Sequence, residues 1–200
     1  MADDHRRRRK AGRALRHHRP MALNATIHQF DIDLADADRG VYTALALRVA
    51  RHPSEAEEYL LARVLAYCLE CTEGIAFSAG GLSSPDEPAI AVRDLTGAWQ
   101  AWIEVGLPDA ARLHRAAKTA PRVAVYCHKD PALLRAALLG QRIHRAEHLA
   151  LHALDRRLIE SLRPHLARRM AWSVAVSGAQ LYVTAGGATH EGRVDPIVLA

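Results

Sequence analysis

No apolar run in this 200-residue chain approaches the ~18–20 residues a helix needs to cross a bilayer, so a helical membrane span is excluded. The N-terminal segment lacks the apolar stretch of a secretory signal, and the expected location is the cytoplasm. Cysteine is scarce: Cys68, Cys71 and Cys127 are too few for a disulfide framework and fit a reducing compartment. Cys68-x-x-Cys71 has no second pair and falls in a helical pattern, without the tight turn of a zinc knuckle, so both thiols read as core. There is no internal repeat, no nucleophile elbow and no glycine-rich phosphate loop beyond Gly80-Gly81. His144 and His148 have helical spacing without the glutamate of a metalloprotease helix. They and the scattered His128, His152 and His165 read as solvated or helix-capping imidazoles.

The chain is 50% hydrophobic and 24% charged, the composition of one globular domain with a sizeable core. Its net charge of +5 is unevenly placed. Arg6 to Arg9, Lys10, Arg13, Arg16 and Arg19 face only Asp3 and Asp4 within residues 1–20, leaving 19 basic and 20 acidic side chains in the other 180. The expected organisation is therefore a disordered basic tail, 1–20, followed by a single near-neutral domain, 21–200. The tail is either a nucleic-acid or membrane-surface arm, or an incidental solvated extension, or the product of a start placed too early, since Met21-Ala22-Leu23 opens the first strand.

Within the domain, alternation predicts a strand over Leu23–Asp33, a turn over Asp33–Gly40 and a strand over Tyr42–Ala50. Ser54 with Glu57 has the form of a capping box opening a helix that ends near Thr72. Ile75–Ser78 is a short strand, Gly80–Pro85 a loop, and Ile90–Arg93 pairs with Ala98–Val105 around Thr96-Gly97. A helix over Asp109–Thr119, a doubly buried strand over Val123–Cys127 and a helix over Pro131–Leu139 follow. A strand at Leu149–Leu154 and a helix from Asp155, ended or kinked by Pro164, lead into a closing meander: Met170–Val176, Gln180–Thr184 and His190–Val194. Trp99 and Trp102, three apart in a strand, are expected on opposite faces. The fold class is α/β or α+β, a mixed sheet flanked by helices.

The chemistry centres on Glu104, a carboxylate inside an otherwise apolar strand, where burial demands a cation or a hydrogen-bond donor. Glu55 and Glu58 could add oxygens, or simply meet the dipole of the first helix. Arg51-His52-Pro53 suits a phosphate beside that helix start. In the alternative reading Pro53 shapes the turn while Arg51 pairs with Glu104 or Glu55.

Helix, strand, strand with an acidic start, strand with an internal Glu, helix, strand is the core order of the PD-(D/E)XK nucleases. More specifically, residues 21–195 resemble the YaeQ family. The landmarks are Met21-Ala22-Leu23-x-Ala25-Thr26-Ile27, Ala50-Arg51-His52-Pro53-Ser54-Glu55, Gly81-Leu82 with Asp86-Glu87-Pro88, and Asp94-Leu95-Thr96-Gly97. Trp102-Ile103-Glu104-Val105-Gly106-Leu107-Pro108-Asp109 with Arg112 and Lys118 completes them. The resemblance implies a restriction-endonuclease-like core with added N- and C-terminal strands. The likeness to the PD-(D/E)XK nucleases implies Mg²⁺-dependent phosphodiester cleavage with Glu104, Glu87 and Lys118 as catalytic groups. Glu104, Glu87, Asp94 and Glu55 would then hold the metal, and Arg51 and His52 a phosphate. Two departures stand against that: Ala89 occupies the place of the metal-binding Asp, and Gly106 that of the lysine. Glu87 or Asp94 would have to replace the first, Lys118 or Arg115 the second. The alternative is a non-catalytic nucleic-acid-binding or regulatory module that has lost the site. Its expected partner is nucleic acid, held weakly because the body is near neutral, and no membrane.

Deleting residues 1–20 should leave the urea-unfolding midpoint unchanged. If the tail contacts phosphates, deletion reduces the salt dependence of nucleic-acid binding; an unchanged salt slope shows that it does not.

Overall fold

His28, Phe30, Ile32, Leu34 and Asp36 are buried while Asp31 and Asp33 are exposed, so a period-2 pattern runs straight through the acidic stretch expected to be a turn. Strand β1 is accordingly Thr26–Asp36, and it pairs along its whole length with β2, Val41–Arg51, across a turn at 37–40. The structure is a computed structural model describing residues 25–78 and 86–199. The expected basic tail, the opening Met21-Ala22-Leu23 and the Gly80–Pro85 loop lie outside the described residues.

Helix α1, Glu57–Leu69, buries Leu60, Leu61, Val64, Leu65 and Cys68. The expected capping box does not form: Ala56 is the N-cap and makes no side-chain cap bond. Ser54 Oγ is instead hydrogen-bonded to His52 Nδ1 at 2.6 Å, and Glu57 pairs with Arg51 and Arg163. Glu57 and Glu58 still lie in the first turn, where the helix dipole favours them. At the other end Arg39 donates to the carbonyls of Cys68 (3.0 Å) and Cys71 (3.1 Å), satisfying acceptors the helix leaves open. Both cysteines are buried in the core.

Strands β3 (Ile75–Phe77), β4 (Ile90–Arg93) and β5 (Trp99–Val105) form an antiparallel run. Helix α2 (Ala110–Thr119), strand β6 (Arg122–Cys127), helix α3 (Pro131–Leu138) and strand β7 (Ala150–Leu154) follow, with β5, β6 and β7 mutually parallel. Helix α4, Arg156–Leu162, gives way to a 3₁₀ turn, Arg163–His165, that contains Pro164. The chain then returns through β8 (Arg169–Ser177), β9 (Gln180–Ala185) and β10 (Ala188–Pro196). The ten strands of the described residues join one mixed sheet in the order β2-β1-β8-β9-β10-β7-β6-β5-β4-β3.

The sheet is nearly closed, curling around α1 and α4: a single apolar cluster unites Val49 of β2 and Ile90 of β4, near its two edges, with both helices. Helices α2 and α3 cover the outer face of β5, β6 and β7 through Leu113, Ala116, Leu134 and Leu138. Those strands are therefore buried on both faces, as the continuous run Val123–Cys127 implies.

The two tryptophans depart from expectation. Val92 pairs with Ala101 but Arg93 with Trp99, so Gln100 is an extra residue in β5. That bulge reverses the alternation and brings the rings of Trp99 and Trp102 to 5.0 Å. Trp102 is core, as at least one had to be.

Gly74 (φ +77°) and Gly40 (φ +67°) both occupy the left-handed region, but only Gly74 lies against backbone. A Cβ there would sit 2.0 Å from the Arg93 carbonyl oxygen, whereas one at Gly40 would meet nothing within 4 Å. In urea unfolding, Gly40→Ala should cost about 1 kcal/mol from backbone strain alone. Gly74→Ala should cost roughly 3 kcal/mol or more, because the β3–β4 pairing must also shift. Equal losses would contradict the close approach.

Candidate functional site

Parallel strands β5 and β6 end side by side at Val105 and Cys127, and α1 begins beside them, so a crevice opens at the strands' carboxyl ends. Two adjoining cavities lie in it and share Tyr59, Val105 and Leu107. One, of about 200 Å³, is bounded by Ala89, Glu104 and Arg112; the other, of about 300 Å³, by Glu55, Gly106, His128 and Lys129.

Glu104 is 4% exposed. It shares a face of β5 with Trp102, two residues away, whose indole Nε1 donates to Glu104 Oε1 at 2.5 Å. Arg112 Nε donates to the same oxygen at 2.6 Å. Arg112 stands in the first turn of α2, where its backbone N–H donates to the N-cap carboxylate of Asp109 at 2.7 Å. Its Nη2 donates at 2.6 Å to the carbonyl of Glu87, just before β4. One guanidinium thus ties α2, β5 and the approach to β4 together. Burial raises the Glu104 carboxyl above the ordinary range, opposed by the bonds from Trp102 and Arg112.

The remaining expected site residues divide. Glu87 is half-buried and its main chain meets Glu104 through Arg112. Asp94 is not brought to the site: it holds the β4–β5 turn, accepting from Thr96 and Ala98 N–H (2.8 and 3.0 Å) and from Gln100 (2.9 Å). It sits beside Ala98, six residues before Glu104, roughly 20 Å away along the strand. Lys118 is exposed in the last turn of α2, about 9 Å further along the axis than Arg112 and on another side, so it does not reach back. Arg115 is exposed as well. Gly106 has φ +94°, a conformation lysine would hardly adopt, which accounts for glycine where the resemblance calls for a lysine. Ala89 lines the Glu104 cavity and offers no ligand atom. Among the described residues no three His, Cys, Asp or Glu side chains converge to hold a metal. The donor set around Glu104 does not fit a hard divalent cation, which takes oxygens rather than a guanidinium as neighbours.

Arg51 and His52 shape the loop before α1. Arg51 Nε donates to the Glu55 carbonyl at 2.9 Å and its Nη1 faces Glu57 at 3.5 Å. Glu55 is fully inside the protein, accepting the His52 N–H at 3.2 Å, with Arg63 3.3 Å away. Arg63, equally buried, donates to the Ala50 carbonyl (3.2 Å) and lies over the rings of Phe77 and Tyr59. Burial again pushes the Glu55 carboxyl up, against the pull of Arg63. Tyr59 stands between the two ion pairs, its hydroxyl pushed up to about 12, chiefly by burial.

His128 corrects the sequence reading most sharply. It is neither solvated nor a helix cap: it is 4% exposed, and neither ring nitrogen has a hydrogen-bond partner. It continues the alternation of β6, following the inward Tyr126, and meets Tyr59 edge to face at 6.0 Å. Burial, with a smaller push from Lys129, lowers it to about 4. Its place directly after a doubly buried strand was the signal in the sequence. His144 and His148 are exposed, as expected. The cluster of Glu70, Arg122 and Tyr126 also escaped the sequence reading. There Arg122 grips both Glu70 oxygens (2.6 and 2.7 Å) and the Tyr126 hydroxyl donates to Oε1 at 2.7 Å.

Comparison with known proteins gives consistent results. The family model described as YaeQ protein matches residues 21–194. The curated YaeQ protein of Salmonella typhi is 31% identical over 169 residues, covering 82% of this chain and 91% of that protein. That of Escherichia coli (strain K12) is 38% identical over 112 residues, 56% of this chain and 61% of that one. Among solved structures, the YaeQ protein from Pseudomonas syringae superposes with a TM-score of 0.77 at 31% identity, covering 87% of this chain and 96% of that chain. The one from Xanthomonas axonopodis pv. citri gives 0.74 at 28%, covering 86% and 97%.

The lowered His128 pKa makes stability pH-dependent. Between about 6.5 and about 4 the unfolded chain takes up a proton that the folded chain refuses, so stability present above 6.5 is lost as pH falls through that window. His128→Phe removes this dependence. Unfolding free energies at pH 7 and pH 4 should show wild type losing up to roughly 3 kcal/mol more than the variant. Parallel pH profiles would contradict the buried neutral imidazole.

Proposed function

Since the chain belongs to the YaeQ family, we propose that it is a non-catalytic binding module of the cytoplasm, built on a divergent PD-(D/E)XK nuclease-like scaffold whose metal site has been replaced by an ion pair. The order β4, β5, α2, β6, with Glu104 inside β5, supports the scaffold. The observation that carries the loss of chemistry is the Arg112–Glu104 bond at 2.6 Å.

A guanidinium and a Mg²⁺ ion compete for the same carboxylate lone pairs. Mg²⁺ demands a near-octahedral oxygen shell at roughly 2.0–2.1 Å. Arg112 already uses Nε on Glu104 and Nη2 on the Glu87 carbonyl, and both bonds are charge-assisted. Displacing it would leave a buried charge uncompensated, a cost of order 3–5 kcal/mol before discount for the partly exposed guanidinium. Nucleic acid remains the expected macromolecular partner. With a near-neutral body its binding is of the weak, salt-sensitive kind, with Kd on the order of 10⁻⁴–10⁻⁶ M.

Calorimetric titration of the full chain with MgCl₂ and MnCl₂ should give no saturable heat, and DNA and RNA incubated with either ion should stay intact. Metal binding that is lost in Glu104→Gln, or cleavage of either nucleic acid that is lost in that variant, would restore the nuclease reading.

A further inference from the structure

We propose that strand β2 is an interface between two copies of this chain, its free edge pairing antiparallel with the same edge of the second copy about a two-fold axis at Ala46. The interface is independent of whatever occupies the crevice.

Strand β2 ends the sheet and, among the described residues, pairs with β1 alone. The N–H groups of Gln29 and of Ala37, just past β1, donate to the carbonyls of Arg168 and Val176, so odd-numbered residues bond toward β8. Even-numbered residues of β1 therefore bond β2, and their partners there are odd-numbered, as Phe30 is opposite Leu47. Tyr42, Ala44, Ala46 and Arg48 consequently turn their main-chain groups away from the sheet. Ala50 does the same, and its carbonyl accepts from Arg63 at 3.2 Å. No N–H of Tyr42, Ala44, Ala46 or Arg48 meets an acceptor beyond that edge among the described residues. Thr43 shares the inner face with buried Leu47 and Val49 yet is exposed, so this half of the edge is open. A long edge is a template for another strand unless proline, a bulge or charge blunts it. β2 runs for 11 residues in unbroken register without proline, whereas β3, at the opposite edge, has 3.

The pattern along β2 selects a second copy as the occupant. Ala46 is the midpoint of Val41–Arg51. An axis there sets Ala46 against its own counterpart, Arg48 against the copy's Ala44, and Tyr42 against the copy's Ala50. Each large outward side chain thus meets an alanine, and the two arginines never meet. Tyr42, 68% exposed in the single chain, is covered by this packing. Charge fits the same register. Asp33 is the β1 neighbour of Ala44 and is exposed on the outer face, as Arg48 is. Neither has an ion pair or a side-chain hydrogen bond among the described residues. Extended across the copy's Ala44, Arg48 reaches the copy's Asp33, two strand spacings or about 9–10 Å away between Cβ atoms. Symmetry makes that contact twice. Because Arg63 holds the Ala50 carbonyl, the main-chain bonds of the pairing come from Ala44, Ala46 and Arg48.

Sedimentation equilibrium of the full chain across micromolar concentrations should show a monomer–dimer equilibrium. Arg48→Glu, which sets like charges together twice, should raise the dissociation constant about tenfold or more, and Asp33→Arg should do the same. Both substitutions in one chain exchange the signs and should restore wild-type association, a rescue that misfolding would not give. Cysteines read the register. Ala46→Cys should cross-link to its counterpart under mild oxidation, since paired Cα atoms at the axis lie about 5.5 Å apart. Ala44→Cys, about 14 Å from its own counterpart, should not. The native cysteines are buried and free, and so do not compete. A chain that stays monomeric at every concentration overturns the proposal. So does a dimer that Arg48→Glu leaves at wild-type strength, or one in which Ala46→Cys fails to cross-link.

Discussion

A carboxylate sealed within a sheet can be tolerated only if something beside it replaces the water it has lost, and for Glu104 that partner is Arg112. The exchange has consequences well beyond the pair. Arg112 is placed by the first turn of α2, which Asp109 caps, and Asp109 follows β5 after only three residues. The acid and its cation therefore come from one short strand–turn–helix unit. Gly106, with its positive φ, makes the turn. Reaching onward to the Glu87 carbonyl, the same guanidinium fixes where the chain enters β4. Arginine suits this task better than lysine, because a planar fork can serve two acceptors in different directions at once. The sheet and its crevice are shaped around that fork.

The same device recurs wherever α1 meets the curled sheet. Wrapping a sheet around a helix buries the helix ends, whose last carbonyls and first N–H groups then need partners other than water. At the C-terminal end Asp36 orients Arg39 through a 2.6 Å bond, and Arg39 reaches the Cys68 and Cys71 carbonyls. Glu70, the C-cap residue between those cysteines, is gripped by Arg122 and Tyr126 from β6. Near the N-terminal end Arg63 answers Glu55 and ties the helix to the last residues of β2. Buried ion pairs of this kind are poor evidence for stability, since desolvation offsets most of the attraction. What they fix is position: each accepts one neighbour in one orientation, so the helix cannot slide within an otherwise oily cylinder.

How far the sequence revealed this depends on the range of each interaction. Strand and helix order was legible because it rests on local periodicity, and Asp109 and Pro131 announced their helices. Glu104 stood out because a lone acid in an apolar strand breaks its pattern. The errors arose where distant residues decide. Ser54 had the form of a cap, but His52 takes its hydroxyl. The Asp33–Asp36 stretch looked like a turn, yet Leu34 and Asp36 face inward, with Arg39 answering the acid. Trp99 was misplaced by one bulge residue, which no local rule foretells. Lys118 was considered as a replacement cation although Arg112, one turn into the same helix, was the nearer one. His128 was grouped with surface histidines because its burial depends on β5, β6 and α1 meeting, a fact of topology rather than of spacing.

The crevice that results holds its imidazole and its phenol in fixed states across the neutral pH range. Activating a water requires a group whose pKa lies near the working pH and whose lone pair is free to face the water. His128, lowered to about 4, is neutral and a weak base throughout that range, while Tyr59, raised to about 12, keeps its proton. An oxygen of Glu104 already receives bonds from Trp102 and Arg112, and Glu55 lies against Arg63. A surface meant for recognition benefits from this constancy, because its pattern of donors and acceptors does not change with small shifts in proton concentration. Burial, which lowers the imidazole and raises the phenol, thus leaves each in a single protonation state near neutral pH. It acts through the same nearly closed sheet that made Glu104 need its arginine.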